Sequence, residues 1–369
     1  MVDLINLVQT LTSPHPLDRY LELVRPTLTL RDMRAEITRV RHSAPGSVTL
    51  TLRPTRQWKG HQAGQYVQLG VVIDGVRHTR CYSPVNPEGG RDRHIELTVK
   101  AHPGGVVSPF LYHNAVPGMV VDLTPADGMF RLPEPRPERL LLISGGSGIT
   151  PVLSMLRTLA AESHRGEVVF LHYAKSPAVL PHRAELDAIA RRHPNFRIEL
   201  RHPHRPERID PGAPWIDLAR PKGSGYFDYD ELERVAPWFA DAQTYVCGPQ
   251  SLMDAVRKIY QAEQWDDRLH TEEFTLSVAA ADAARAHGTV NFSASRVSAE
   301  NNGATLLEQA ESAGLSPEYG CRMGICFSCT AVRRAGCTRN LRTGETDSDP
   351  DQPIQLCISA PVGDVDIDI

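Results

Sequence analysis

Hydrophobic positions along the chain keep one period for some tens of residues and then switch to another. Leu4, Leu7, Val8 and Leu11, then Leu17, Tyr20, Leu21 and Val24, recur at helical spacing on either side of Ser13-Pro14-His15-Pro16. Residues 1–32 are therefore expected to be a helical extension that caps the next domain, or alternatively docks on a partner or a membrane surface. Over residues 33–132 the pattern becomes short β-rich runs broken by turns: Ala35–Val40, Ser47–Leu52, Tyr66–Ile73, His94–Lys100 and Met119–Leu123. Such runs without long helices between them predict an antiparallel β-barrel, closed by a stiff linker at Pro133–Pro137. Residues 138–275 alternate: strand Leu140–Ile143, helix Val152–Ala161, strand Val168–Tyr173, helix Ala184–Ala190, strand Thr244–Val246 and helix Ser251–Gln261. Alternation of this kind builds an α/β domain on a parallel sheet. An Ala-rich linker over 276–287 leads to residues 288–369, with strands Thr289–Ser293 and Val362–Ile369, helix Ala304–Ala313 and a cysteine loop between them. The chain is thus expected to be multidomain, and no internal repeat interrupts this order.

Composition narrows the class. With 41% hydrophobic and 23% charged residues in 369, the chain can bury sizeable cores, which excludes disordered, collagen-like and disulfide-scaffold readings. No apolar run approaches the roughly 20 residues of a membrane-spanning helix. The N-terminus has Asp3 and no basic segment before an apolar run, so a cytoplasmic location is expected. The net charge of −4 is unevenly spread: from Val278 onward 12 Asp/Glu face 7 Lys/Arg, a balance of −5 that leaves +1 for the remainder. A chain without a basic footprint is not expected to bind nucleic acid, whereas an acidic C-terminal domain suits a basic partner surface.

Four of the seven cysteines form one spaced set: Cys321-x4-Cys326-x2-Cys329, with Cys357 far downstream. Three thiolates from a tight loop and a fourth from a returning strand are the spacing of plant-type [2Fe–2S] ligation. Gly320 and Gly324 supply permissive backbone where the chain wraps round a cluster. Structural zinc or unliganded thiols are the rival readings, although zinc sites usually pair their cysteines at short spacing. Cys337 fits no ligand slot and reads as an ordinary thiol in a loop.

Three further motifs bear chemistry. Arg80-Cys81-Tyr82-Ser83 ends a barrel strand and offers a cation for phosphate, an aromatic face for a flavin ring and a hydroxyl for its reactive nitrogen. A buried tyrosine beside an arginine explains the tetrapeptide equally well. Gly104-Gly105-Val106-Val107-Ser108 opens helix Phe110–Asn114, either to seat a pyrophosphate on open N–H groups or as a plain turn. Gly145-Gly146-Ser147-Gly148-Ile149-Thr150-Pro151 follows a buried strand, the setting of a nucleotide-binding turn, with proline where a third glycine would stand.

Together with Cys247-Gly248-Pro249 and His270-Thr271-Glu272-Glu273-Phe274, these segments resemble the ferredoxin–NADP reductase superfamily over residues 33–274. Residues 288–369 resemble a plant-type ferredoxin domain of the α+β, β-grasp type, and its C-terminal placement is similar to the phthalate dioxygenase reductase arrangement. The resemblance implies FAD, with Arg80 on its phosphates, Tyr82 on the isoalloxazine, Ser83 at N5 and Gly105, Val106, Val107 and Ser108 at the pyrophosphate. It implies a nicotinamide dinucleotide on Gly145, Gly146, Gly148, Ile149, Thr150 and Pro151, with Cys247, Gly248 and Pro249 near the nicotinamide and Glu272 and Phe274 close to the flavin. Ser83, Cys247, Glu272 and Phe274 are thereby the expected catalytic residues, and Cys321, Cys326, Cys329 and Cys357 the cluster ligands. Lys175 and Arg183, after the second strand of the domain, favour NADPH over NADH, unless both are merely solvated.

The implied activity is an NAD(P)H-dependent reductase that accepts electrons in pairs and releases them singly to a partner. Pro14–Pro26, reading PHPLDRYLELVRP, is similar to reductases that feed membrane di-iron fatty-acyl desaturases or alkane hydroxylases, implying peripheral contact with a membrane-bound partner. The alternative acceptor is a Rieske-type or aromatic-compound oxygenase. A non-catalytic redox sensor is a third reading. Glu345, Asp347, Asp349 and Asp351 either steer docking or solvate a loop.

Overall fold

Alternation of apolar and polar residues folds Arg34–Ala44 and Ser47–Pro54 into antiparallel strands β1 and β2, paired from Ala35↔Pro54 to Ala44↔Ser47. The computed structural model describes residues 27–30, 32–90, 93–202, 227–274, 286–320, 322, 324 and 327–369. The helices expected within residues 1–26 lie outside the described residues. Strands β3 (Val67–Ile73) and β4 (Val76–Tyr82) form a second hairpin, whose turn residues Asp74 and Gly75 both take positive φ, +51° and +80°. Strand β5 (Ile95–Lys100), helix α1 (Val107–Asn114) and strand β6 (Val120–Leu123) complete the segment. The sheet runs β4-β3-β6-β1-β2-β5, and its two edges meet at the Pro84↔Leu97 bridge and the Val85 N–H to Glu96 O bond of 2.8 Å. The expected barrel is therefore closed, around a core that includes Ile37, Leu50, Leu69, Leu97 and, from α1, Leu111.

The next sheet is built from β7 (Arg139–Gly145), α2 (Ile149–Ala161), β8 (Glu167–Tyr173), α3 (Arg183–Arg192), β9 (Phe196–Arg201), α4 (Tyr229–Val235), β10 (Gln243–Cys247), α5 (Gln250–Ala262) and β11 (Leu269–Glu272). All five strands are parallel, in the order β11-β10-β7-β8-β9. β7 is central, so Leu140 to Ile143 are buried on both faces and read as a continuous apolar run. β9 carries no such run, because Arg201 and Glu199 are buried there as an ion pair at 2.8 Å, with Glu231 of α4 2.8 Å from the same guanidinium.

The chain divides into two compact units between Glu272 and Glu273. Barrel and parallel sheet belong to the first. The second holds β12 (Thr289–Phe292), β13 (Val297–Glu300), α6 (Leu306–Ser312), β14 (Thr330–Asn340), β15 (Thr346–Asp347), β16 (Gln352–Gln355) and β17 (Ser359–Asp368). Its mixed sheet, β13-β12-β17-β14-β15 with β16 also on β14, pairs β12 and β17 in parallel and has the β-grasp form. Thr305 and Glu308 form a capping box that starts α6. Cys337 stands half-buried in β14 and not in a loop, a correction to the sequence reading. That strand is concealed in the sequence by Arg333-Arg334, yet Arg333 is wholly buried and bonds Thr338 Oγ1 (2.6 Å), Asp347 Oδ2 (2.8 Å) and Asp349 O (2.6 Å). Asp347 and Asp351, expected among the docking or solvating acids, pair within the unit with Arg333 and with Arg334 (2.9 Å).

Replacing Arg333 by Met leaves the buried Thr338 hydroxyl without its donor. The expected loss is about 2 kcal/mol of stability, read by calorimetry as a lowered melting transition of the second unit.

Candidate functional site

In an open parallel sheet the ends of neighbouring strands diverge where the strand order reverses, leaving a crevice at their C-terminal edge. Here the reversal falls between β7 and β10. β7 runs into the turn Gly146–Gly148 and then α2, while β10 runs into Gly248-Pro249 and then α5. The two loops touch backbone to backbone: a Cβ on Gly148 would lie 2.1 Å from Cys247 O, one on Gly145 2.6 Å from Pro249 Cδ, and one on Gly248 2.9 Å from Gly145 N. Ile149, Thr150 and Pro151 form the first turn of α2, with buried side chains. That turn has no side-chain cap and no acid, so the partial positive charge of the helix end is open to an anion.

Register places Cys247 between Ser144 of β7 and Glu272 of β11. Glu272 Oε2 has no hydrogen-bond partner, and burial pushes the carboxyl up to about 8. Beneath the crevice Ser144 Oγ lies 2.9 Å from His172 Nδ1; burial first, and then the charges of His202 and Lys100, push this imidazole down to about 3. Lys100, at the end of barrel strand β5, reaches the glycine turn: a Cβ on Gly146 would lie 3.8 Å from its Nζ. Burial and the charge of Lys175 hold this ammonium below its usual range. Lys100 was missed in the sequence; its place between a barrel strand and the Gly104-Gly105 turn was the available signal. Lys175 is exposed after β8, and Arg183 is the first residue of α3.

The end of β4 presents the flavin motif. Arg80 and Tyr82 share one face of the strand. Arg80 Nη1 donates to Thr79 O at 2.8 Å, and burial pushes the Tyr82 phenol up. Ser83, 2% exposed, has no hydrogen-bond partner for its Oγ, as expected of a hydroxyl that serves a bound group. At the other glycine turn Gly105 N–H bonds His102 O (3.0 Å) and Ser108 Oγ accepts from His102 N–H (3.2 Å), closing the entry to α1. The Val107 side chain is in the barrel core and Val106 is exposed, so backbone N–H groups are what this turn offers a phosphate. Both sites fit the groups implied for them, the flavin motif through an orphaned hydroxyl and the nucleotide turn through an uncapped helix end free of acids.

In the second unit Cys329 and Cys357 are 2% and 3% exposed within one apolar cluster, linked by Leu356 N–H to Cys329 O (3.0 Å). Gly324, at φ +72°, comes so close to Ile358 that a Cβ would lie 2.6 Å from its Cδ1. Arg322 and Phe327 also take positive φ, so the loop bends tightly without glycine at these positions. Gly320 is buried. Cys321 and Cys326 lie outside the described residues. Two buried thiols beside a tightly wrapped loop fit the [2Fe–2S] donor set. Phe274 follows β11 by two residues and is half-buried.

Residues 38–132 match the oxidoreductase FAD-binding domain, 142–258 the oxidoreductase NAD-binding domain, and 289–362 the 2Fe-2S iron-sulfur cluster binding domain. A relative from Mycobacterium tuberculosis, "NADPH oxidoreductase", is 36% identical over 97% of this chain and 90% of its own. The glycine betaine monooxygenase reductase subunit of Pseudomonas aeruginosa is 32% identical over 83% of this chain and 86% of its own. The fold is like that of phthalate dioxygenase reductase, with a TM-score of 0.60 and 24% identity, over 91% of this chain and 97% of that one. The chain belongs to the ferredoxin–NADP reductase family of flavin- and pyridine-nucleotide-dependent oxidoreductases, in the branch with a C-terminal 2Fe–2S domain. It is an NAD(P)H oxidoreductase that uses FAD and a [2Fe–2S] cluster, and among the described residues no helix is long and apolar enough to cross a membrane.

Gly148→Ala forces the two loops apart by a backbone clash, and is expected to weaken binding of the oxidised pyridine nucleotide about tenfold or more, measured by titration of the flavin spectrum. Glu272 in the folded chain keeps up to about pH 8 a proton that the unfolded chain gives up near 4.5, so folding stability falls as pH rises through that window. Urea unfolding of the flavin-free protein should show Glu272→Gln gaining on the wild type from pH 4.5 to about 8 and not below.

Proposed function

We propose that the chain is the reductase component of an oxygenase system, drawing electron pairs from NADPH and passing them singly to a Rieske-type or aromatic-compound oxygenase. The observation that carries this reading is the placement of the nucleotide turn and the flavin motif in one unit, on a chain that also holds the cluster domain. The 32% identity to a glycine betaine monooxygenase reductase subunit supports an oxygenase as acceptor. A membrane di-iron desaturase or alkane hydroxylase is the second reading, favoured by the segment Pro14–Pro26.

The chemistry that the bound flavin and cluster supply is acceptance of two electrons and their release one at a time. The protein's part is to bind and orient. Arg80 would neutralise the flavin phosphates, Tyr82 would cover the ring, and Ser83 would use its unpartnered hydroxyl at the reactive nitrogen. The N–H groups of Val107 and Ser108 would take the flavin pyrophosphate, and those of the turn Gly146–Gly148 and α2 the nucleotide's, with Lys100 alongside. Cys247, buried at the end of β10, would wall the nicotinamide pocket. Glu272, kept neutral near pH 7, can donate a hydrogen bond where a carboxylate cannot. Lys175 and Arg183 would distinguish NADPH from NADH through the 2′-phosphate.

Anaerobic titration with NADPH should bleach flavin and cluster together, taking up about three electrons per chain. Lys175→Ala should raise the KM for NADPH about tenfold and leave that for NADH unchanged. Coupling to a purified Rieske oxygenase in solution supports the main reading. Coupling only to membranes, lost on deleting residues 1–30 while ferricyanide reduction persists, supports the second. A cluster that stays oxidised while the flavin reduces would overturn both.

A further inference from the structure

Helix α2 starts on the nucleotide turn and, two turns later, presents Ser154, Arg157 and Thr158 on one face. The polar atoms of all three bond the barrel. Arg157 Nη1 donates to Val85 O (2.8 Å), Ser154 Oγ donates to Asn86 O (2.9 Å), and Thr158 Oγ1 accepts from Glu88 N–H (3.0 Å). They thus hold the main chain of residues 85–88, the barrel segment that follows directly on Ser83. Arg157, 9% exposed, is fully engaged: Nη1 also bonds Glu96 Oε2 of β5 (2.6 Å), Nε bonds Glu185 Oε1 of α3 (2.7 Å), and Nη2 lies 3.1 Å from His182 Nδ1. His182 is in turn 2.8 Å from Thr98 Oγ1 of β5. One guanidinium therefore joins a barrel strand, the segment leaving the flavin motif and the loop and helix after β8.

We infer that Arg157, with Ser154 and Thr158, is the positioning element that sets how closely the nicotinamide approaches the flavin. The inference rests on the reading above of the nucleotide turn and of Ser83. An α-helix is a stiff rod, and Ile149 lies roughly 12 Å along its axis from Arg157. With one end of that rod on the dinucleotide and the other clamped to the chain beside Ser83, the separation of the two ring sites is fixed by α2. With both groups bound, the chemistry served would be hydride transfer, in which a hydrogen and its two electrons leave a nicotinamide C–H bond for a new N–H bond at the flavin nitrogen that Ser83 would face. A displacement of about 1 Å in such a step can slow it by about two orders of magnitude while binding is spared.

The test compares flavin-loaded wild type, Arg157→Lys, Ser154→Ala and a control, Tyr260→Phe, which loses a buried bond to Thr244 (2.6 Å) away from the seam. Arg157→Lys keeps the charge between Glu96 and Glu185 but cannot serve Val85 O and both carboxylates at once. Single-turnover flavin reduction by NADPH should slow about tenfold in Arg157→Lys and severalfold in Ser154→Ala, with the Kd for NADP+ within about twofold of wild type. Amide exchange of the flavin-free proteins should rise at Val85, Asn86 and Glu88 in both seam variants and not in Tyr260→Phe. The control should lower the melting temperature and leave the hydride-transfer rate unchanged. The inference is overturned if both seam variants reduce flavin at the wild-type rate, or slow no more than Tyr260→Phe. If wild type is reduced by neither NADPH nor NADH, the reading of the nucleotide turn fails instead.

Discussion

Two loops at the edge of the parallel sheet can touch main chain to main chain only because three positions carry no side chain. Gly145, Gly148 and Gly248 allow a contact that any Cβ would break, and the geometry of the nucleotide crevice follows from it. The contact fixes where β7 ends, how α2 leaves the sheet and where Cys247 stands relative to Ser144 and Glu272. α2, directed by that turn, carries Arg157 to the barrel. A local absence of atoms therefore governs a longer-range arrangement, through a helix too stiff to absorb the difference.

The polar groups nearby are held in ways that burial alone makes costly. Glu272 is kept from ionising and His172 from protonating, so a crevice lined with titratable residues carries its positive charge on Lys100, Lys175 and the helix end. That division suits a phosphate-bearing ligand whose nicotinamide end meets neutral groups. The second unit uses a buried cation differently: Arg333 ties Asp347 and the carbonyl of Asp349 to β14, which begins next to Cys329.

Legibility in the sequence followed the physical origin of each feature. Leu140–Ile143 and the glycine turn were plain, because a central parallel strand is apolar throughout and a backbone contact demands glycine. α2 starts at Ile149, earlier than the expected Val152, since Pro151 is tolerated in a first helical turn. β9 and β14 were hidden because Arg201, Glu199 and Arg333 are buried through partners distant in sequence, which no local pattern reveals. Ser83, Tyr82 and Arg80 were singled out by a motif that is local. Lys100 was not, because its neighbour is a turn from another sheet. The cysteine spacing pointed to Cys329 and Cys357, which the structure brings together in one core.

α2 also bears on how the molecule comes apart. Its Leu153, Leu156 and Leu159 are buried in the nucleotide domain, while its Ser154, Arg157 and Thr158 satisfy main-chain groups of the barrel. Opening either sheet leaves buried polar atoms of the other without partners, a penalty that couples them into a single cooperative event. The β-grasp unit has a core of its own. The chain accordingly has fewer folding units than it has sheets.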